Sequence, residues 1–327
     1  MPSPIPPDPP RIRPRIANSI EDLIGNTPLL RLPVDGTAPG VRVLAKIESA
    51  NPLASIKDRA ALFMMRAAES EGLLRPGGTV IEATSGNTGI ALAALATSRG
   101  YRCVIVMPDS ATPERIGMLE ALSAEIHLTP REARLQGCID KAEELRQQIP
   151  GSWFAKQHEN VNNVRAHRET TGPEIWADTE GTVDVLVCGV GTGGTLSGAA
   201  SYLKERNPAV QAVAVEPSGS PLLTQGRAGA HAIPGLNGGF VAPTTDVELI
   251  DEALAVGDDE ALFAARWLTR RVGVLAGISS GAAVHGAIRI ARRPDSAGKT
   301  IVVVLPDTGE RYLSVWSATA HPQRKSA

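Results

Sequence analysis

Residues 183–198 read "VDVLVCGVGTGGTLSG". The run DVLVCGV suits a buried strand, the glycines suit a tight turn, and 194–206 suits a helix. Outward from this unit the same alternation repeats. Strands are expected at VRVLAKIE, TVIEA, RCVIVM, AEIHLT, QAVAVE and TIVVVLP, and helices over 57–72, 87–99, 113–122, 132–148, 258–272 and 281–292. Strands that alternate with helices form βαβ units, so the class is α/β, with mostly parallel sheets and helices on both faces. The 327 residues suit about two domains at ~150 residues each. The PGSW turn near residue 150 offers a hinge between them.

Composition narrows the function classes. Apolar residues are 43% of the chain and aromatics 3%, so the cores must be Ala, Val, Leu and Ile. Lys and Arg number 33 against 35 Asp and Glu, a net charge of −2, which leaves no electrostatic footprint for nucleic acid or an anionic membrane. No apolar run reaches the ~18 residues of a membrane span. Cys103, Cys138 and Cys188 are scattered and form no CxxC pair, which fits buried thiols in a reducing, cytoplasmic setting. The opening MPSPIPPDPPRIRPR has no apolar h-region and no helical period; residues 1–15 read as a disordered arm, not a signal peptide. The histidines show no HExxH or paired spacing, so no metal is expected.

Glycine-rich loops recur at strand ends: TSGNTG (84–89), GVGTGGT (189–195) and GISSG (277–281). In open α/β sheets ligands bind at the carboxyl ends of strands. Gly189, Gly191 and Gly194 have GxGxxG spacing, and Glu216 stands where a ribose-binding acid would lie. That reads as a dinucleotide site. The physics is broader, because helix-terminal N–H groups bind any phosphate. Thr192 and Thr195 add hydroxyl donors, which suit a phosphate monoester. A tight turn with no ligand is the plain alternative.

Lys57 lies in NPLASIKDRAALFMM (51–65), where a polar loop becomes an apolar helix. Apolar neighbours depress an amine's pKa by desolvation. A lysine together with a phosphate-monoester loop suggests pyridoxal phosphate (PLP) chemistry. Taken alone, Lys57 could be an ordinary first-turn lysine.

It is not alone. EDLIGNTPLLRL, NPLASIKDR, EATSGNTGIALA, GVGTGGTLSG and GVLAGISSGAA occur in that order, with TTGPEIW and LPDTGERYLS besides. Over residues 18–316 the chain resembles the cysteine synthase (O-acetylserine sulfhydrylase) family of PLP fold-type II. The resemblance implies two doubly wound α/β domains of the tryptophan synthase β-like type. The smaller, mobile domain would be 46–150, carrying the substrate carboxylate loop; 16–45 plus 151–320 would form the larger, phosphate-binding one. It further implies that Lys57 is the Schiff-base lysine and proton carrier, and that Asn87 meets the ring's phenolic oxygen. Gly191, Thr192, Gly193, Gly194 and Thr195 would hold the phosphate, and Ser279 would face the pyridine nitrogen. Thr84, Ser85, Asn87 and Thr88, with Gln157, would grip the substrate carboxylate. Ser279, Ser280, Thr84 or Ser85 could instead merely cap helices.

The implied reaction is a β-replacement: O-acetylserine loses acetate to give an α-aminoacrylate, and sulfide attacks it to give cysteine. A homodimer, and association with serine acetyltransferase, follow from the same resemblance. Two positions depart from the family text. His158 follows Gln157 where Phe is usual, and Asn237 replaces a glycine in GLNGGF. His158 would either tune the second half-reaction, titrating near neutrality, or pack locally. O-phosphoserine sulfhydrylase, cystathionine β-synthase-like, dehydrogenase and non-catalytic readings stay open.

Overall fold

The computed structural model of the chain describes residues 16–84 and 86–320, with side chains as far as 316. The expected arm at 1–15 and the expected substrate contact Ser85 lie outside the described residues. Strands are β1 (Leu29–Arg31), β2 (Arg42–Ile47), β3 (Thr79–Ala83), β4 (Arg102–Pro108), β5 (Glu125–Thr129), β6 (Ser152–Phe154), β7 (Val185–Gly189), β8 (Gln211–Pro217), β9 (Glu252–Val256) and β10 (Thr300–Leu305). Helices are α1 (Lys57–Ser70), α2 (Asn87–Arg99), α3 (Pro113–Ala121), α4 (Arg134–Gln148), α5 (Val161–Ala166), α6 (Gly172–Asp178), α7 (Gly194–Arg206), α8 (Leu222–Gln225), α9 (Asp258–Trp267), α10 (Ile278–Ala291) and α11 (Leu313–Ala320).

The strands make a six-stranded sheet, β1-β2-β10-β7-β8-β9, and a four-stranded sheet, β5-β4-β3-β6. Only β1 runs antiparallel to its neighbour; the other pairings are parallel. Each sheet is covered on both faces. Val185 and Val187 of β7 face α9 and α10, while Leu186 and Cys188 face α6 and α7. In the smaller sheet Val80 faces α1 and α2, and Ile81 and Ala83 face α4. This is the two-residue side-chain period of a strand with helices above and below. It also explains why β10, TIVVVL, is buried at every residue.

Four expectations shift. The border expected at 46 cuts β2, and the one expected at 150 excludes β6, which pairs with β3. The PGSW turn therefore lies between α4 and β6 of the smaller layer. The last part of 258–272 is a π-helical turn, Leu268–Val272. The helix expected at 281–292 begins at Ile278, which moves Ser279 into its first turn. Residues 161–178 carry α5, a π-helical turn (His167–Thr171) and α6. Gly172 and Pro173 mask that run in the sequence. Pro173 follows directly on the π-helical turn, where the Gly172 N–H reaches back to the His167 carbonyl and the helical run widens just ahead of the proline.

Candidate active site

The carboxyl ends of β3, β7 and β10 meet at one cleft between the two sheets. Its wall includes Lys57, Asn87, Gly191, Thr192, Gly193, Thr195, Ser279 and Asp307. Lys57 is the first residue of α1. A local turn sets it there: Asp58 accepts from the Leu53 N–H at 2.7 Å, and Ser55 Oγ accepts from the Lys57 N–H at 3.2 Å. The half-buried Lys57 side chain brings Nζ to 3.5 Å from Thr192 Oγ1. Desolvation depresses its pKa to about 8, against a smaller upward pull from the carboxylate of Glu82.

Behind this amine the same helix is anchored by charge. Arg59 is 1% exposed. Its Nε meets Glu48 at 2.8 Å, and Nη1 and Nη2 each meet Glu174 at 2.7 Å. Lys46 joins from β2, 2.9 Å from the same Glu174. The network ties α1 of the smaller layer to β2 and α6 of the larger one.

The 191–195 loop is shaped by what it cannot hold. A Cβ on Gly191 would lie 2.3 Å from the Gly235 carbonyl oxygen. Gly193 has φ +76°, and a Cβ there would lie 2.0 Å from Thr245 Oγ1. The Thr192 carbonyl accepts from Thr244 Oγ1 at 2.5 Å and Thr245 Oγ1 at 3.2 Å. Asn163 Nδ2 donates to Thr192 Oγ1 at 3.0 Å. Thr195 Oγ1 lies 3.2 Å from Nε2 of His167, a fully buried ring held neutral by desolvation. These fixed hydroxyls, at the N-terminus of the 13-residue α7, make a cradle for an anion.

Ser279 sits on the cleft wall in the first turn of α10; Gly277 is the N-cap, and no side chain caps the helix. The capping alternative for Ser279 and Ser280 therefore fails. Thr84, Thr88 and Gln157 are buried and cluster beside the cleft, off its wall. Thr88 Oγ1 donates to Gln157 Oε1 at 2.6 Å, and Thr84 Oγ1 accepts from the Gly86 N–H at 3.1 Å. Gly194 opens α7 without reaching the wall.

His158 stacks obliquely on Phe240, ring centroids 5.5 Å apart. Burial, and then the charge of Lys57, lower its pKa to about 4, which corrects the expectation that it titrates near neutrality. Asn237 adopts a left-handed backbone, φ +45°, a region that Asn tolerates better than most residues. Its Nδ2 ties the loop to the Ser220 carbonyl at 2.5 Å. Glu216 accepts from the N–H groups of Leu223 and Thr224, at 2.7 and 2.9 Å, and from Thr224 Oγ1 at 2.6 Å. A carboxylate so committed to α8 is not available to a ribose, and the dehydrogenase reading loses its acid.

The sequence reading missed Asn163, His167, Thr244, Thr245, Asp307 and Arg311. LPDTGERYLS flagged the last two without a role; the others are ordinary polar residues far away in sequence.

Residues 20–307 match the family model described as pyridoxal-phosphate dependent enzyme. The chain belongs to that family of cofactor enzymes. Within it the likeness is to cysteine synthases. A probable cysteine synthase of Bacillus subtilis (strain 168) is 46% identical over 308 residues, covering 93% of this chain and 99% of the relative. Among solved structures, a cysteine synthase from Entamoeba histolytica superposes with TM-score 0.90 at 36% identity, covering 97% of this chain and 94% of that one. An O-ureido-L-serine synthase superposes with TM-score 0.88 at 40% identity, covering 95% and 97%. The cleft fits the cofactor: Gly191, Thr192, Gly193 and Thr195 line it at the N-terminus of α7, where an anion is favoured, and an amine without a carboxylate within ion-pair distance, among the described residues, stands 3.5 Å from Thr192 Oγ1.

Proposed function

We propose that the chain makes L-cysteine and acetate from O-acetyl-L-serine and sulfide. The observation that carries this is the desolvated Lys57 amine, 3.5 Å from the hydroxyl of the glycine cradle at the head of α7. Bound PLP supplies an aldehyde to join an amine and a ring that accepts electrons from the substrate's α-carbon. Lys57 Nζ holds the cofactor at rest, takes the substrate's α-proton and returns it once the C–S bond has replaced the C–O bond. Residues 191–195 bind the phosphate. Asn87 meets the ring's oxygen, and Ser279, a neutral hydroxyl, meets its nitrogen. Thr84, Ser85, Asn87 and Thr88, with Gln157, bind the substrate carboxylate. That contact draws the smaller layer over the cleft and excludes water. The pKa of about 8 keeps part of the Lys57 population neutral near pH 7, as a proton acceptor must be.

The test is direct. Protein reconstituted with PLP should be yellow, and borohydride should trap the cofactor on Lys57 in peptide maps. O-Acetylserine, O-phosphoserine and serine, each with sulfide, hydroxyurea or homocysteine, should then be compared. An adduct on another lysine refutes the Lys57 assignment, and a preference for any other pair refutes the proposed substrates. We further assign the chain to a reducing cytoplasm, in keeping with its three free, buried cysteines and with the absence, among the described residues, of a helix long and apolar enough to cross a membrane. Self-association as a homodimer, and docking of a serine acetyltransferase tail at the cleft, complete the reading. Light scattering at twice 34.3 kDa checks the first, and co-elution with the acetyltransferase checks the second.

A further inference from the structure

The amide of Asn87 has two ends alike in shape and opposite in chemistry, and both are taken. Its Nδ2 donates to Asp307 Oδ2 at 2.8 Å. Its Oδ1 accepts from Arg311 Nη1. A guanidinium cannot accept, so the end of the amide that faces Arg311 must be the carbonyl oxygen, and the NH2 falls to Asp307. The neighbours are themselves held. Arg311 donates to the Leu53 carbonyl, and Tyr312 donates its hydroxyl to Asp307 Oδ2 at 2.5 Å. Asp307 is 2% exposed and shares the cleft wall with Asn87, Lys57 and Ser279. It fits there because residue 277 is glycine: a Cβ on Gly277 would lie 2.0 Å from Asp307 Oδ1. An amide NH2 carries two hydrogens, and Asp307 uses one.

We propose that Asp307 is a positioning residue: with Arg311 it locks the Asn87 amide so that the second N–H, and not the carbonyl, is offered to the oxygen of the bound cofactor ring. The proposal rests on the PLP reading above. Asp307 follows β10 of the larger sheet and Asn87 opens α2 over the smaller one, so the same contact sets the registry of the two layers across the cleft.

The test compares wild type with Asp307→Leu, Asp307→Asn, Asn87→Ala and the Asn87→Ala/Asp307→Leu double variant, all reconstituted with PLP. The visible absorption maximum and the PLP dissociation constant are read, with circular dichroism to confirm folding. Asp307→Leu should move the band in the same direction as Asn87→Ala and weaken PLP binding about 5–10-fold, the worth of one hydrogen bond. The double variant should go no further, because both changes remove one interaction. Asp307→Asn should keep the wild-type band, since its carbonyl oxygen can accept from both Asn87 and Tyr312. A folded Asp307→Leu protein with the wild-type band, or shifts that add in the double variant, overturns the proposal alone. If Asp307→Leu does not fold, Arg311→Met decides from the other end of the amide, with the same band shift expected and an unmoved band overturning the proposal. A wild type that stays colourless with PLP overturns the functional reading and this proposal with it.

Discussion

Lys57 and Arg59 stand two positions apart in the first turn of α1, and the fold treats them in opposite ways. Both are drawn away from bulk water. Around Arg59, desolvation works against the cation, but Glu48 and Glu174 outweigh it and raise the pKa above its ordinary value. Around Lys57 desolvation dominates, its polar neighbour is the Thr192 hydroxyl at 3.5 Å, and the pKa falls to about 8. Burial by itself therefore decides neither outcome. The supply of carboxylates does: a matched cation becomes an anchor between layers, and an unmatched one is pushed toward its neutral form.

The largest effect expected from breaking this contrast is at the anchor. Arg59→Met strands the buried carboxylate of Glu48 and leaves Glu174 with Lys46 alone, which should cost about 3–5 kcal/mol, read by urea unfolding at pH 7. The loss should shrink as the pH falls and the stranded acid takes up a proton. A cost below ~1 kcal/mol would mean that the network is only decorative.

Lys57→Met should run the other way. A fall from 10.5 to about 8 corresponds to at most ~3.4 kcal/mol at ~1.36 kcal/mol per unit, so the variant should be more stable at pH 7, by about 1–3 kcal/mol, while losing the yellow band and all turnover. The sign follows from linkage. Between pH 8 and 10.5 the unfolded chain holds a proton on Lys57 that the folded chain has lost, so wild-type stability rises with pH through that window. The Met variant lacks this rise, and its advantage should vanish by the upper end. A less stable variant at pH 7 would show that the amine is not the strained member of the pair.

Gly191→Ala probes the cradle that the amine faces. Its Cβ would meet a backbone oxygen at 2.3 Å, with no side chain free to yield. The expected cost is about 1–3 kcal/mol, with weaker PLP binding in fluorescence titration. Full retention of both would remove the case for a shaped phosphate site.

The smallest change is His158→Phe. With its pKa at about 4, the imidazole is neutral across the working range, so the substitution should leave stability and the pH profile above pH 5 alone. It should change the relative rates of sulfide and larger nucleophiles, because it alters the ring contact with Phe240 at a position near enough to Lys57 to feel its charge. Identical nucleophile preference in stopped-flow assays would assign His158 to local packing.

The alternation of strand and helix, the glycine turns and the placing of Lys57 at a helix start were legible in the sequence. Each depends on local preferences or on side-chain periods of two and 3.6, which neighbouring residues express within a single element. Residues 161–178 were not legible, because Gly172 and Pro173 break the local pattern and only packing against α7 and α1 restores the helix. Nor was the border between the layers, since β6 is three residues long and declares its sheet only by pairing with β3. The electrostatic fates of Lys57 and Arg59 were beyond reading as well. Glu48, 11 residues before Arg59, meets it only through the fold, and Thr192 beside Lys57, like Glu174 beside Arg59, lies more than a hundred residues away. So do Asp307 and Arg311, which hold Asn87 from more than two hundred residues off. The sequence by itself determined which chemical groups the chain carries and which turns and helices present them. Only the tertiary structure decided which charges met a partner, because desolvation and Coulomb energy depend on distances in space that no local pattern encodes.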